Sequence, residues 1–212
     1  MITLYTAGTP NGRKASIMLE EVGLPYRVKA ISLANNEQFS PEFLAVSPNN
    51  KIPAIVDEDA PGGPLSIFES GAILVYLAEK TGKLLPTSGP ARYKTLEWTF
   101  WQVGGLGPML GQLGFFVMRS KDKPPEAIDR FTTEAARLFK VMDTQLGKSA
   151  YLAGDAYSIA DIACYGWTFA ASTLIKQGAP AAWGDNPNIE RWLKAVGERP
   201  AVVKGMAVPA AS

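Results

Sequence analysis

Residues 1–31 read MITLYTAGTPNGRKASIMLEEVGLPYRVKAI, and the fold is decided within them. Ile2 to Tyr5 is short, apolar and β-branched, and Thr9-Pro10-Asn11-Gly12 behind it is turn chemistry, so a strand gives way to a loop. Ala15, Met18, Leu19 and Val22 then recur at helical spacing from Arg13 onward, and Gly23-Leu24-Pro25 closes that helix with a C-cap glycine and a proline. Tyr26 to Ile31 reads as a second strand. Strand, helix and strand in so short a space imply a parallel pair joined by a right-handed crossover.

Working outward, Ser40-Pro41-Glu42 opens a short helical turn and Ala54 to Val56 reads as a strand. The Gly/Pro-rich stretch Asp57 to Pro64 leads into Leu65 to Phe68, which predicts a hairpin. From Glu69 the residues Ala72, Ile73, Val75, Tyr76 and Leu77 return to a helical pattern, giving β-α-β-α-β-β-α in all. Lys83 to Ala91, with Pro86, Ser88, Gly89 and Pro90, reads as a linker. Strand signals stop there. Leu96 to Met118 is long and aromatic-rich, and Glu126 to Leu146 carries Ile128, Phe131, Ala135, Leu138, Phe139 and Met142 at helical spacing. Ser158-Ile159-Ala160-Asp161 caps an apolar helix running toward Leu174, and Ile189 to Val196 predicts one more. The expected class is α/β plus all-α: an α/β domain at residues 1–82, then an all-helical domain at residues 91–212.

With 212 residues and 47% hydrophobic side chains the chain can fill a real core. Its 21 Lys and Arg against 20 Asp and Glu leave a net charge of +1, too little to hold a phosphate backbone, so no nucleic-acid partner is expected. No apolar run nears the roughly 20 residues of a membrane span, and the start has no basic n-region. The expectation is a cytoplasmic protein without a membrane partner. There is no histidine and one cysteine, Cys164. Ser-His-Asp and Cys-His catalysis and histidine-containing zinc sites are closed off, so no metal is expected. An intrachain disulfide and a C-x-x-C pair are excluded as well. Cys164 reads as a small core residue of its apolar helix. The titrating group of an enzyme working near neutral pH would then arrive with a ligand.

Three segments hold polar groups where a backbone can help them. Thr9, Asn11 and Gly12 lie between the first strand and its helix, where exposed N–H groups stabilise an anion, and hydroxyl and amide donors there suit an external thiolate. The same residues also make an ordinary turn and helix cap. Asn49-Asn50-Lys51-Ile52-Pro53 precedes the third strand. A cis Ile52-Pro53 bond would turn the Ile52 backbone toward an extended peptide ligand, whereas a trans bond is a plain strand start. Glu69-Ser70-Gly71 opens a helix directly after a strand; its carboxylate, hydroxyl and N–H groups match the two ends of an α-amino acid, or serve simply as a cap.

At these residues the chain resembles the cytosolic glutathione transferases. The β-α-β-α-β-β-α order is the thioredoxin-like one, and Ile52-Pro53, Glu69-Ser70-Gly71-Ala72-Ile73-Leu74 and Ser158-Ile159-Ala160-Asp161 follow the family pattern. More narrowly, Thr9 to Gly12, Ser47 to Ile55, Phe68 to Leu74 and Phe100 to Met109 are similar to the bacterial nu class. The resemblance implies a thioredoxin-like glutathione-binding domain with a C-terminal helical bundle, assembled as a homodimer. It implies that glutathione pairs with Ile52 beside a cis Pro53, that Glu69 and Ser70 take its γ-glutamyl end, and that Gln38 and Lys51 take its glycine end. Thr9 and Asn11 would address the sulfur, and Arg130 matches an arginine that contacts ligand in this class. Tyr5, on its strand, is expected to face the core or support the site.

The class is known for disulfide-bond reduction with bound glutathione, often two molecules per site, which agrees with the missing protein thiol. Glutathione is then a co-substrate, and the acceptor site is expected among Met109, Leu113, Phe115, Phe116 and Met118 on the second domain. Residues at helical spacing are also ordinary core or dimer contacts. Gly104, Gly105, Gly107, Gly111 and Gly114, costly in a helix, are expected to allow close backbone approach and so give room for a second glutathione. The alternatives are glutathione conjugation, organic peroxide reduction, or a binding protein that keeps the fold without catalysis.

Overall fold

Strand β1 (Ile2–Thr6) alternates buried and part-exposed side chains, with Ile2, Leu4 and Thr6 turned inward. It sits inside a four-stranded sheet of order β2-β1-β3-β4. β2 (Tyr26–Ala30) runs parallel to it with Leu4 opposite Val28, while β3 (Ala54–Asp57) runs antiparallel with Leu4 opposite Ile55. β4 (Leu65–Phe68) completes the antiparallel hairpin. A computed structural model describes residues 1–210 of the chain.

Helix α1 (Pro10–Val22) makes the crossover between β1 and β2 and ends on Gly23 at φ 74°, a left-handed turn that glycine takes without strain. The one-turn helix α2 (Pro41–Leu44) lies ahead of β3, and α3 (Ser70–Thr81) follows β4. α1 packs on α3, burying Ala15, Met18 and Leu19 from one and Ile73, Leu74 and Leu77 from the other. A separate cluster holds Ile31, Phe43 and Ala54 with Tyr5, Val46 and Ile52 against it. Tyr5 thus packs on Phe43, ring centres 6.1 Å apart.

The second unit, Ser88–Gly197, is helical. α4 (Gly89–Trp101) and α5 (Gly107–Gly114) are joined by a wider π turn at Gln102–Leu106, and another closes α5 at Phe115–Arg119. α6 (Pro125–Leu146) buries Ala135, Leu138, Phe139 and Met142, the stripe its spacing predicts. α7 (Ile159–Ala170) runs through a third π turn at Ala171–Ile175 into the short α8 (Lys176–Gly178) and α9 (Pro180–Trp183), and α10 (Pro187–Gly197) follows. Asp161 holds this unit together: its buried carboxylate accepts from Ser158 N and Leu152 N, both at 3.0 Å, and from Trp192 Nε1 at 2.9 Å. Burial pushes that carboxyl above its ordinary pKa even though these bonds pull the other way. No helix among the described residues is long and apolar enough to cross a membrane.

Two expectations need correction. Among the described residues, the chain from Glu198 onward packs with the first unit, Met1–Thr87, and not with the helical domain expected at residues 91–212. There α11 (Pro200–Met206) crosses α1 at backbone distance: Ser16 Oγ donates to Gly205 O at 2.7 Å, and a Cβ on Gly205 would stand 2.5 Å from Ile17 Cα. Arg199 fixes the approach, its Nε and Nη2 donating to the Glu21 carboxylate at 2.7 and 2.9 Å. Nor do all five glycines leave open space: nothing stands within 4 Å of a Cβ on Gly104, but one on Gly107 or Gly111 would meet the Trp167 ring at 3.1 or 3.3 Å, the close approach expected of them. They admit a neighbouring helix. Gly205→Ala should therefore lower stability by about 1–3 kcal/mol, the usual cost of overpacking, read as an earlier urea midpoint; an unchanged midpoint would mean that α11 does not brace α1.

Candidate functional site

The start of α1 is built by Thr-Pro-Asn-Gly. Thr9 is the N-cap in extended conformation, its Oγ1 accepting from Gly12 N at 3.1 Å, and Pro10 opens the helix without needing a donor. Gly12 is required by space: a Cβ there would collide with the Ala7 carbonyl and lie 2.5 Å from Thr6 Oγ1. Asn11 is held between these two constraints. It lines a cavity of about 280 Å³ together with Asn49, Lys51, Ile52, Pro53, Phe68, Glu69 and Ser70.

Each other wall has a local cause. Ser47 Oγ donates to Lys51 O at 2.8 Å and ties down the loop before β3, and the Ile52-Pro53 bond is cis. The sheet ladder begins at Ala54, so Ile52 stands just outside it. Glu69 has φ 71°, a left-handed conformation costly for a residue with a side chain and a recurrent mark of functional positions. α3 starts immediately after it with no side-chain cap on its N-terminus, leaving N–H groups for an anion. Ser70 at that N-terminus is nearly buried, with Lys14 Nζ donating to its Oγ at 3.3 Å.

The cavity therefore brings together Asn11, Lys51, Ile52, Pro53, Glu69 and Ser70 from the residues singled out in the sequence. Thr9 and Gln38 are not among its lining. The Thr9 oxygen accepts the capping bond from Gly12 N, which leaves its hydroxyl proton to donate elsewhere. Gln38, in a one-turn 3-10 helix, has a buried Oε1 without a hydrogen-bond partner. Turning that amide over would present two donors instead of an acceptor. Sequence reasoning misses Asn49, Phe68 and Lys14. Asn49 and Phe68 flank residues already chosen, and a lysine on a helix reads as exposed until the fold is known.

The second unit holds a cavity of its own, about 540 Å³, lined by Met109, Asp129, Arg130, Phe131, Thr133 and Glu134. Phe116 stacks on Phe131 at 5.7 Å and meets Phe115 edge-on at 5.2 Å, while Phe115 and Met118 stay exposed. Leu113 is the exception to the expected acceptor set. Leu106, Leu110 and Leu113 share one stripe and are all buried, so Leu113 belongs to the core. Among the described residues no group of three His, Cys, Asp or Glu could hold a metal ion.

Residues 1–79 match the family "Glutathione S-transferase, N-terminal domain", and residues 106–200 match "Glutathione S-transferase, C-terminal domain". The chain belongs to the glutathione transferase family. Among its curated relatives is the disulfide-bond oxidoreductase YfcG of Escherichia coli (strain K12), 50% identical over 95% of this chain and 92% of that protein. The disulfide-bond oxidoreductase YghU of the same organism is 41% identical over 98% of this chain and 74% of that one. A glutathione transferase from Burkholderia graminis, solved with two glutathione molecules per subunit, superposes with a TM-score of 0.95 at 45% identity, covering 100% of this chain and 89% of that one. One from Pseudomonas putida, solved with one glutathione disulfide per subunit, gives 0.92 at 44% identity over 98% of this chain and 91% of that one.

For this member of the glutathione transferase family, the Gly12 seat makes a direct prediction. Gly12→Ala should push the start of α1 off the Ala7 carbonyl and cost about 1–3 kcal/mol of stability, with a loss of ligand affinity at Asn11. Thermal melts together with calorimetric titration of glutathione read both effects, and a variant unchanged in the two would show that the seat is not tight.

Proposed function

We propose that this transferase is a glutathione-dependent disulfide-bond reductase whose reacting thiols are all supplied by its ligands. One observation carries the reading: the chain's single cysteine, Cys164, is fully buried in α7, whereas the Asn11 cavity is lined by amide, ammonium, carboxylate and hydroxyl groups and no thiol. The names of YfcG and YghU, and the glutathione pair and glutathione disulfide in the solved relatives, support it.

Glutathione fits the cavity group by group. Its γ-glutamyl ammonium faces the Glu69 carboxylate, and its α-carboxylate faces Ser70 and the uncapped N-terminus of α3. The cysteinyl backbone pairs with Ile52, just beyond the end of the ladder, and the glycine carboxylate extends toward Lys51 and Gln38. Asn11 donates its amide to the sulfur, and the partial positive charge at the start of α1 favours the thiolate. A thiol of pKa about 8.5 is only a few per cent ionised at pH 7, so lowering it by one to two units multiplies the nucleophile several-fold or more.

In the first step the bound thiolate attacks one sulfur of the substrate disulfide. A new S–S bond to glutathione forms as the old one breaks, and the departing thiolate takes up a proton. A second glutathione thiolate then attacks the glutathione sulfur of the mixed disulfide, releasing the other substrate thiol and glutathione disulfide. Two glutathione thiols are oxidised and one disulfide is reduced. Alignment of three sulfurs is the enzyme's main contribution beyond pKa. Met109, on the 540 Å³ cavity, and the exposed Phe115 and neighbouring Phe116 serve the acceptor side, while Arg130, on the same cavity, is kept as a contact to glutathione. The protein works in the cytoplasm as a homodimer; the exposed Phe39 and Leu65 of the first unit support the dimer, and a sedimentation mass of one chain would remove it.

Asn11→Ala should lower turnover of a hydroxyethyl mixed disulfide by about 10–100-fold, in the range for a lost donor to a developing anion. Cys164→Ala should retain that turnover while losing about 1 kcal/mol of stability to the cavity it leaves. Loss of activity in the cysteine variant would overturn the ligand-thiol mechanism. Conjugation of a chloronitrobenzene much faster than disulfide reduction would favour the conjugating reading instead.

A further inference from the structure

Lys14 is only 1% exposed and among the largest fully buried side chains of the protein. Lysine is rarely buried to this degree, because its head group is costly to remove from water, and its neighbours Ala15, Ile17 and Met18 show that an apolar residue would fit the setting. It stands three residues after Asn11 on α1, hence on the same side of the helix, and its Nζ donates to Ser70 Oγ at 3.3 Å. A serine hydroxyl has one proton and two lone pairs. Once Lys14 donates into one lone pair, the Ser70 proton turns away from Lys14, and Ser70 lines the cavity. α3, which Ser70 opens, carries no side-chain cap, so its first N–H groups and the Ser70 O–H are left as donors at one place.

We propose that Lys14 is a positioning residue for glutathione: from behind Ser70 it sets the serine hydroxyl as a donor to the γ-glutamyl α-carboxylate. The assignment rests on the glutathione reading above and adds to it the residue that orients one end of the ligand. Lys14 does not touch the ligand in this scheme. Its effect passes through Ser70, and only toward the carboxylate.

Calorimetric titrations of the wild type, Lys14→Met, Ser70→Ala and the double variant test this, with glutathione, with 4-aminobutyryl-cysteinyl-glycine, which is glutathione lacking only the α-carboxylate, and with butyryl-cysteinyl-glycine, which lacks the α-amino group as well. Lys14→Met should weaken glutathione binding about tenfold, the worth of one hydrogen bond to a charged group, and leave the tripeptides without the carboxylate unchanged. In the Ser70→Ala background the further loss on changing Lys14 should vanish. Equal weakening of glutathione and the decarboxylated tripeptides, or full additivity in the double variant, would reduce Lys14 to a structural role. Should Lys14→Met not fold, Ser70→Ala alone decides, because the proposal requires it to lose the preference for glutathione over the form lacking only the carboxylate; a preference kept intact overturns it. A wild-type protein that binds none of these tripeptides at millimolar concentration would instead overturn the glutathione reading itself.

Discussion

Helix α1 is seated by backbone against backbone, and the first unit is organised around that seat. At its start Gly12 rests against the Ala7 carbonyl, and in its middle Ile17 lies under Gly205 of α11. Neither contact tolerates a Cβ. Between them α1 buries one face on α3 and so ties the two helix N-termini, at Asn11 and at Ser70, to a single cavity. A helix end is useful to an anion only if its N–H groups are held at fixed positions, since the partial charge acts within the first turn. Rigid seating of α1 is therefore a condition for the chemistry proposed at Asn11 as well as for the fold.

Much of the molecule is legible in the sequence because the signals that place its elements are local. Strand periodicity in Ile2 to Tyr5 and Leu65 to Phe68, glycine and proline stops at Gly23 and Pro25, and the Ser158/Asp161 cap all act within a few residues, and the elements form where those signals lie. What stays hidden depends on distant neighbours. Pro200–Met206 is too short to announce itself, and nothing in its composition says that it belongs to the first unit rather than the second. Its partner is residue Ile17, nearly two hundred positions earlier. The glycines of α5 are legible as unusual, but whether such space is filled by a ligand or by a tryptophan is decided by the tertiary position of Trp167.

The site divides along the same line. Asn11, Ile52, Glu69 and Ser70 occupy turns and helix starts, where the sequence restricts the backbone, and the fold brings them to one cavity. Thr9 caps α1 by accepting from Gly12 N at 3.1 Å, a role its residue type and place before the helix already announce, and its hydroxyl proton is not used by that bond. Leu113 follows helical spacing into the core for the same reason that Leu106 and Leu110 do. Lys14 is invisible in the sequence because charge ordinarily marks the solvent face of a helix, and only the approach of α3 converts it into an interior donor.

The absence of histidine and the burial of Cys164 then combine into one constraint on mechanism. A protein-based thiol would need access to the disulfide and a neighbour to deprotonate it, and Cys164, at 0% exposure inside the second unit, has no such access. In the proposed mechanism a ligand thiol removes both requirements: it reaches the site with its disulfide partner, and its ionisation is favoured by fixed N–H and amide dipoles that need no proton of their own to lose. Such dipoles do not titrate across the neutral range. The pH dependence of the reaction should accordingly follow the glutathione sulfur alone, rising with pH until the bound thiol is fully ionised and with no falling limb from a protein acid.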